Sequence, residues 1–265
     1  MNSERGVWMA LLVVTAMLVT AGACAESFDR PIRTTVVQLG RSSYLMPTNP
    51  DQIRLTCFYY SGFLVKQMVD PGLKGSMWVK LLPTSNGIVP ECRNSHDPGE
   101  WSLADDGWFF IGAKGRFSFL EASDGEDGAM LTRVVDTTTR KKIFEDSVSF
   151  WHLRRLKSPI EFARTADGAL LMRYRRSVEA TCSIVKGGKA CWDKVRTQFG
   201  LANAPIPECS GYRQRGAREW KIGDEGVPPE AETTPSAIVY PVNVTLSSQP
   251  TVKVVGGPVW CSAAE

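Results

Sequence analysis

The stretch Trp108–Glu145, WFFIGAKGRFSFLEASDGEDGAMLTRVVDTTTRKKIFE, decides the fold class. Phe117 and Phe119 alternate with Arg116 and Ser118, and Met130, Thr132 and Val134 alternate with Leu131, Arg133 and Val135. Successive side chains of a strand point to opposite faces, so a period of two predicts half-buried strands. SDGEDG (123–128) and DTTTRK (136–141) carry the residues that tight turns prefer. The stretch therefore predicts an antiparallel meander.

Working outward toward the amino terminus, SMWVKLL predicts a further strand, and LTCFYY-SG-FLVKQMV predicts a hairpin closed by Ser61-Gly62. Between them and the meander, PTSNGIVPECRNSHDPGEW is too rich in Pro, Asn and Gly to be regular. TTVVQL is one more strand within an extension over 26–50, and the domain proper is placed at 51–265. Toward the carboxyl terminus, IEFARTADGALLMRYRR turns at Ala166-Asp167-Gly168. In AIVYPVNVTLS the residues Ile238, Tyr240, Val242, Val244 and Leu246 share one face, while Pro241 points to an edge strand or a bulge. TVKVV is a final strand. Asp127–Val134 and Asp167–Tyr174 match in type at nearly every position, and both read as turn-then-strand halves of hairpins. One helix is expected, at about 188–199, with Trp192, Val195 and Phe199 on one face and Gly200 as its stop. The fold expected is mainly β: antiparallel hairpins in a sandwich or a propeller-like stack, with one short helix.

From Val7 to Ala25 the chain carries no charge, and Ala23-Cys24-Ala25 has the A-x-A form of a cleavage site. Residues 1–25 are thus expected to be a signal peptide, with lipidation of Cys24 or an uncleaved anchor as alternatives. No later run is apolar enough to span a bilayer. The leader holds Glu4 and Arg5, so the net charge stays at +3 without it, and nothing in that balance asks for nucleic acid. The basic clusters Arg140-Lys141-Lys142, Arg154-Arg155 with Lys157, and Arg173-Arg175-Arg176 suit either an anionic envelope polymer or the protection of sheet edges. Six cysteines remain after Cys24, and an even number behind a leader reads as disulfides. Pairing of neighbours is expected: Cys57 with Cys92, Cys182 with Cys191, and Cys209 with Cys261. Zinc is disfavoured, since no C-x-x-C spacing occurs and only His96 and His152 could assist. The expected location is the periplasm or the medium.

Three groups of residues suggest sites. Asp124, Glu126 and Asp127 offer carboxylates suited to calcium, without the order of a recognised calcium loop, and turn chemistry alone accounts for them. His96, Asp97 and Glu100, with Asp105 and Asp106 nearby, bring an imidazole and carboxylates into the loop that Cys92 would pin, the set a hydrolase acting on an envelope polymer would use. No G-x-S-x-G elbow accompanies them. The aromatics Phe58, Tyr59, Tyr60, Phe63, Trp78, Trp101, Trp108, Phe109, Phe110 and Trp151 would stack on a ligand if exposed and form the core if buried, and core is the expectation for most. Asn243-Val244-Thr245 fits a glycosylation acceptor, and no G-x-G-x-x-G, P-loop, H-E-x-x-H or heptad run occurs. The reading that fits best is an exported, non-enzymatic β domain that binds a partner protein, glycan or small ligand at the envelope, without a cofactor.

Overall fold

The computed structural model describes residues 26–45, 51–73, 75–84, 90–126, 129–150, 159–201, 203–209 and 233–264. The meander is present as β6 (Trp108–Lys114), β7 (Phe117–Glu126), β8 (Ala129–Asp136) and β9 (Lys141–Ser149), each antiparallel to the next. It continues through β11 (Leu170–Glu179), β12 (Ser236–Leu246) and β13 (Thr251–Val254), with β10 (Glu161–Arg164) paired to β11 and β14 (Trp260–Ala263) paired to β12. These nine strands form one sheet. Ahead of them β1 (Arg33–Arg41), β2 (Gln52–Tyr59), β3 (Phe63–Val69), β4 (Trp78–Pro83) and β5 (Trp101–Ala104) form a second, in sequential order. The fold is mainly β, with two antiparallel sheets and no closed barrel.

The period of two sorts the side chains into three apolar layers. Val65, Val79 and Leu81 of the five-stranded sheet meet Phe110, Ala113, Leu120 and Val135 of the larger one. The alternate residues Leu55, Cys57, Leu64 and Leu82 face away from that contact and build a separate cluster. On the far face of the large sheet, Phe119, Val134, Phe162, Met172 and the predicted row Ile238, Tyr240, Val242, Val244 and Leu246 pack beneath the helix. Phe119 and Phe162 are fully buried, and each such side chain is worth roughly 1.5–3 kcal/mol relative to exposure.

The helix, α1 (Ile184–Gln198), starts four residues ahead of its expected place. Ser183 supplies the reason: its hydroxyl accepts the Lys186 N–H at 3.3 Å, a side-chain cap that satisfies an orphan donor. Gly188, at φ 50° and ψ −134°, interrupts the helical dihedrals. Ile184, Cys191, Trp192 and Val195 are its buried face, and the Ile184 N–H donates to Ser236 Oγ at 2.9 Å, tying the helix to the start of β12. All three expected disulfides are present, Cys57–Cys92, Cys182–Cys191 and Cys209–Cys261.

Other local expectations are corrected. Ser123–Glu126 does not turn: β7 runs on to Glu126, with a register irregularity between Glu121 and Gly125, and residues 127–128 lie outside the described residues. The hairpin at Ser61-Gly62 closes by Tyr60 N–H to Phe63 O at 2.9 Å without a positive φ at Gly62. Pro241 lies in a strand paired on both sides rather than at an edge. It is tolerated because it falls between the partners of β12, where pairing with β14 stops at Val239 and pairing with β13 starts at Val242. The segment from Glu26 to Asp29 links β10 to the edge strand β6 of the large sheet: Glu26 pairs with Phe162 and Asp29 with Ala113. Phe28 sits between Phe119 and Phe162, with ring centroids 5.2 and 5.1 Å away, and a Cβ at Gly112 would come within 2.6 Å of its ring.

Candidate functional site

The loop after β4 is organised by a residue that the sequence reading passed over. Lys66 lies mid-strand in β3, its side chain 1% exposed, on the face that carries Leu64 and Met68. Its ammonium donates to Asp97 Oδ2 at 2.5 Å, to Glu100 Oε2 at 2.7 Å and to the Ser95 carbonyl at 3.1 Å. All three protons of the ammonium are thereby used. Arg93 reaches Asp97 at 2.8 Å and Lys80 reaches Glu100 at 3.3 Å. Cys92 pins the start of this loop to Cys57, which sits opposite Lys66 in the β2–β3 register.

The hydrogen bonds of Lys66 and then of Arg93 hold the Asp97 carboxyl below its ordinary range. Burial pushes Glu100 up, but Lys66 and Lys80 outweigh it and the net shift is downward. Both carboxylates are therefore ionised and committed to cations. His96 stands outside this cluster, 71% exposed, with Nδ1 3.6 Å from Glu100 Oε1, beyond hydrogen-bonding distance. The loop brings His96, Asp97 and Glu100 together in space, yet the carboxylates turn inward to Lys66 and the imidazole turns out. A signal was available in FLVKQMV: a lysine inside a strand that is apolar on both faces requires buried anions. Asp105 lies outside the cluster, where its carboxylate accepts from Ser102 at 3.3 Å.

Of the calcium candidates, Asp124 is exposed on β7, Glu126 ends that strand, and Asp127 lies outside the described residues. Among the described residues no group of three or more His, Cys, Asp or Glu side chains is placed to hold a metal. Trp151, His152, Arg154, Arg155 and Lys157 also lie outside them. No helix among the described residues is long and apolar enough to cross a membrane.

Sheet edges are where the backbone itself can bind. The outer edge of β6 is occupied: Ser76 donates to the Trp108 carbonyl, Gln67 Oε1 accepts the Phe110 N–H at 2.6 Å, and the Asp29 N–H donates to Ala113 O at 2.8 Å. Strands β5 and β13, at the other edges, are four residues long. β1 is different. It is nine residues long, and among the described residues no strand pairs with its far side. Thr35, Val37 and Leu39 face the cluster around Leu55, while Thr34, Val36 and Gln38 face outward.

That outward face continues onto β2 and β3. Thr34 lies opposite Phe58 and Val36 opposite Thr56, and beyond them Tyr60 stacks on Phe63 with centroids 4.9 Å apart. Val36 is 56% exposed and Ile32, just ahead of the strand, 75%. Of the singled-out aromatics, Tyr59 and Phe110 are buried as core, whereas Phe58, Tyr60, Phe63, Trp101 and Trp108 line the margin between the sheets. Burial pushes the Tyr60 phenol up to about 12, so it stays neutral at ordinary pH. Arg33 and Arg41 mark the two ends of the strand. Comparison with known proteins gives no match: no family model, no curated protein and no solved structure resembles the chain.

Proposed function

We propose that this chain is an exported, non-enzymatic β domain that binds an extended segment of a partner protein at the cell envelope, by strand addition along β1. The observation that carries the reading is the contrast among the edges: β6 is capped by side chains and backbone, β5 and β13 are short, and β1 presents nine residues beside exposed Val36 and Ile32. A long open edge is a hazard for self-association unless a partner uses it. Antiparallel pairing of two β1 strands about Val37 would set Arg33 of one copy against Arg41 of the other, and like charges opposite one another oppose that pairing. The exposed Val36 and Ile32 favour a partner segment with apolar alternation.

Export is part of the proposal. Three disulfides suit an oxidising compartment, and the uncharged run before Glu26 suits a cleaved leader. The hydrolase reading of the His96 loop gains nothing from a geometry that commits Asp97 and Glu100 to Lys66.

The test is Val36→Lys, which puts a charge on the docking face at a site that adds nothing to the core. Hydrogen exchange is followed at the β1 amides with and without fractionated envelope proteins. Protection of β1 in the wild type, lost in Val36→Lys at an unchanged melting midpoint, is the expected result. Equal exchange of the β1 amides in both conditions sinks the reading, as does a partner that the variant retains.

A further inference from the structure

Strand β11 divides its three arginines between the two faces of the large sheet. Arg176 turns inward, 2.5 Å from Asp146 and beside the buried Tyr174. Arg173 and Arg175 lie on the other face, which meets the small sheet over β6–β8 but contributes nothing from β11, β12 or β13 to that contact. We propose that this uncovered part of the face, spanned by Arg173, Arg175, Asn243 and Lys253, binds an acidic polysaccharide, a chain of sugars carrying recurrent carboxylates.

Arg175 is the centre of the surface. Its guanidinium lies 3.9 Å from the centroid of the part-exposed Trp260 ring and makes no hydrogen bond or ion pair among the described residues. The indole holds the flat group by its face, which leaves the N–H donors in its plane unused. Burial pushes the guanidinium pKa down with no anion to offset it, so a ligand carboxylate would meet a charge that the fold itself leaves unsatisfied. Arg173 and Lys253, one on each side of Asn243 in the β11–β12–β13 register, are likewise in no ion pair among the described residues. Strand geometry sets Arg173 about 7 Å from Arg175 along β11 and Lys253 about 9.5 Å across the sheet. Cations spread in this way match an anion repeated along a chain better than a single head group. Two carboxylates share the face. Glu161 stands opposite Arg173 in β10, while Glu179 ends β11 about 13 Å from Arg175, beyond a screening length of roughly 8–10 Å. Three cations against one near carboxylate leave the surface basic.

The groups between the cations set the class of ligand. The side chains of Asn243, Thr245 and Thr251 make no hydrogen bond among the described residues, and Thr245 faces Thr251 in the β12–β13 register. An acyl chain would strip these groups of water and return nothing, whereas sugar hydroxyls both donate to them and accept from them. An extended peptide draws its affinity from an open edge, and β11 and β12 are paired on both sides. Recognition here therefore runs through side chains alone.

Calorimetry of the full chain with oligogalacturonate tests the surface. Binding is expected, weakened at least about tenfold in an Arg173→Gln/Arg175→Gln variant, as loss of charge-assisted contacts implies. Lys253→Gln, at an exposed position outside the core, should weaken it by a smaller factor. Lys186→Gln/Lys194→Gln removes two exposed charges from α1, on the opposite side of the sheet, and should leave binding as in the wild type. Absence of heat up to about 1 mM oligomer, a scale that already marks weak binding, overturns the proposal. Equal affinity for the uncharged methyl ester of the same oligomer overturns it too. An equal loss in the α1 variant, or equal affinity for inorganic polyphosphate, would reduce the binding to general attraction between opposite charges and sink the glycan assignment. Should the arginine variant melt below the wild type, Lys253→Gln decides, and unaltered binding by it overturns the proposal. No residue of this surface belongs to β1, so either reading can fail without the other.

Discussion

The ammonium of Lys66 and the carboxylate of Asp97 meet 2.5 Å apart, with side chains 1% and 8% exposed, between strand β3 and a loop about thirty residues further along the chain. Two charges withdrawn from water this far repay their desolvation only when every remaining hydrogen-bonding position is filled. Ser95, Glu100 and Arg93 fill them. The loop from Cys92 to Glu100 therefore has two anchors on the first sheet, one covalent and one ionic.

Lys66→Met should be among the most damaging single substitutions in the molecule. It removes the buried cation that Asp97 and Glu100 share, leaving them only Arg93 and Lys80, and breaking a buried pair costs about 3–5 kcal/mol. Chemical denaturation measures the loss. Adding Asp97→Asn and Glu100→Gln to Lys66→Met should recover much of it; a triple variant no better than the single one would show that the charges are not the cause.

Acid should loosen the same anchor. Asp97 and Glu100 have folded-state pKa values below those of the unfolded chain, so the unfolded state binds more protons and stability rises with pH across that window. Their contribution is present above the usual carboxylate range, around pH 4, and is lost as pH falls through the depressed values. Melting midpoints between pH 6 and 2 should fall more steeply for the wild type than for the triple variant.

Glu121 should behave with the opposite sign. Burial pushes its carboxyl up, and among the described residues no cation pairs with it. Its charge at neutral pH therefore works against folding, and Glu121→Gln should raise the melting midpoint at pH 7. The gain should shrink as the pH drops and the native carboxyl takes up a proton; a gain that persists at low pH would point to packing instead.

Reduction should destabilise in proportion to the loops closed. The chain-entropy account gives about 4 kcal/mol for separations of 35 and 52 and about 2.5 kcal/mol for a separation of 9. Paired replacement by Ala should thus cost more at Cys57–Cys92 and Cys209–Cys261 than at Cys182–Cys191. Peptide mapping without reduction should recover the three linked pairs.

Gly112→Val should release the amino-terminal segment. A Cβ there would lie 2.6 Å from the Phe28 ring, so either Phe28 leaves its place between Phe119 and Phe162 or β6 shifts. Faster hydrogen exchange at Glu26 and Asp29, whose N–H groups bond Phe162 and Ala113, is the readout.

Alternation was enough to place the meander, the β2–β3 hairpin and the buried face of β12, because a period of two is a local property of any strand with one wet face. Spacing suggested the neighbour pairing of the six cysteines. What local pattern could not carry was direction in space. His96, Asp97 and Glu100 are adjacent in sequence, but whether they face a substrate or a buried lysine depends on Lys66, which only the packing of the loop onto β3 brings beneath them. Pro241 read as an edge residue because its missing N–H is local, whereas the gap between β13 and β14 that accommodates it is tertiary. The open edge of β1 is likewise a product of how the sheets assemble, since an edge is defined by what fails to cover it.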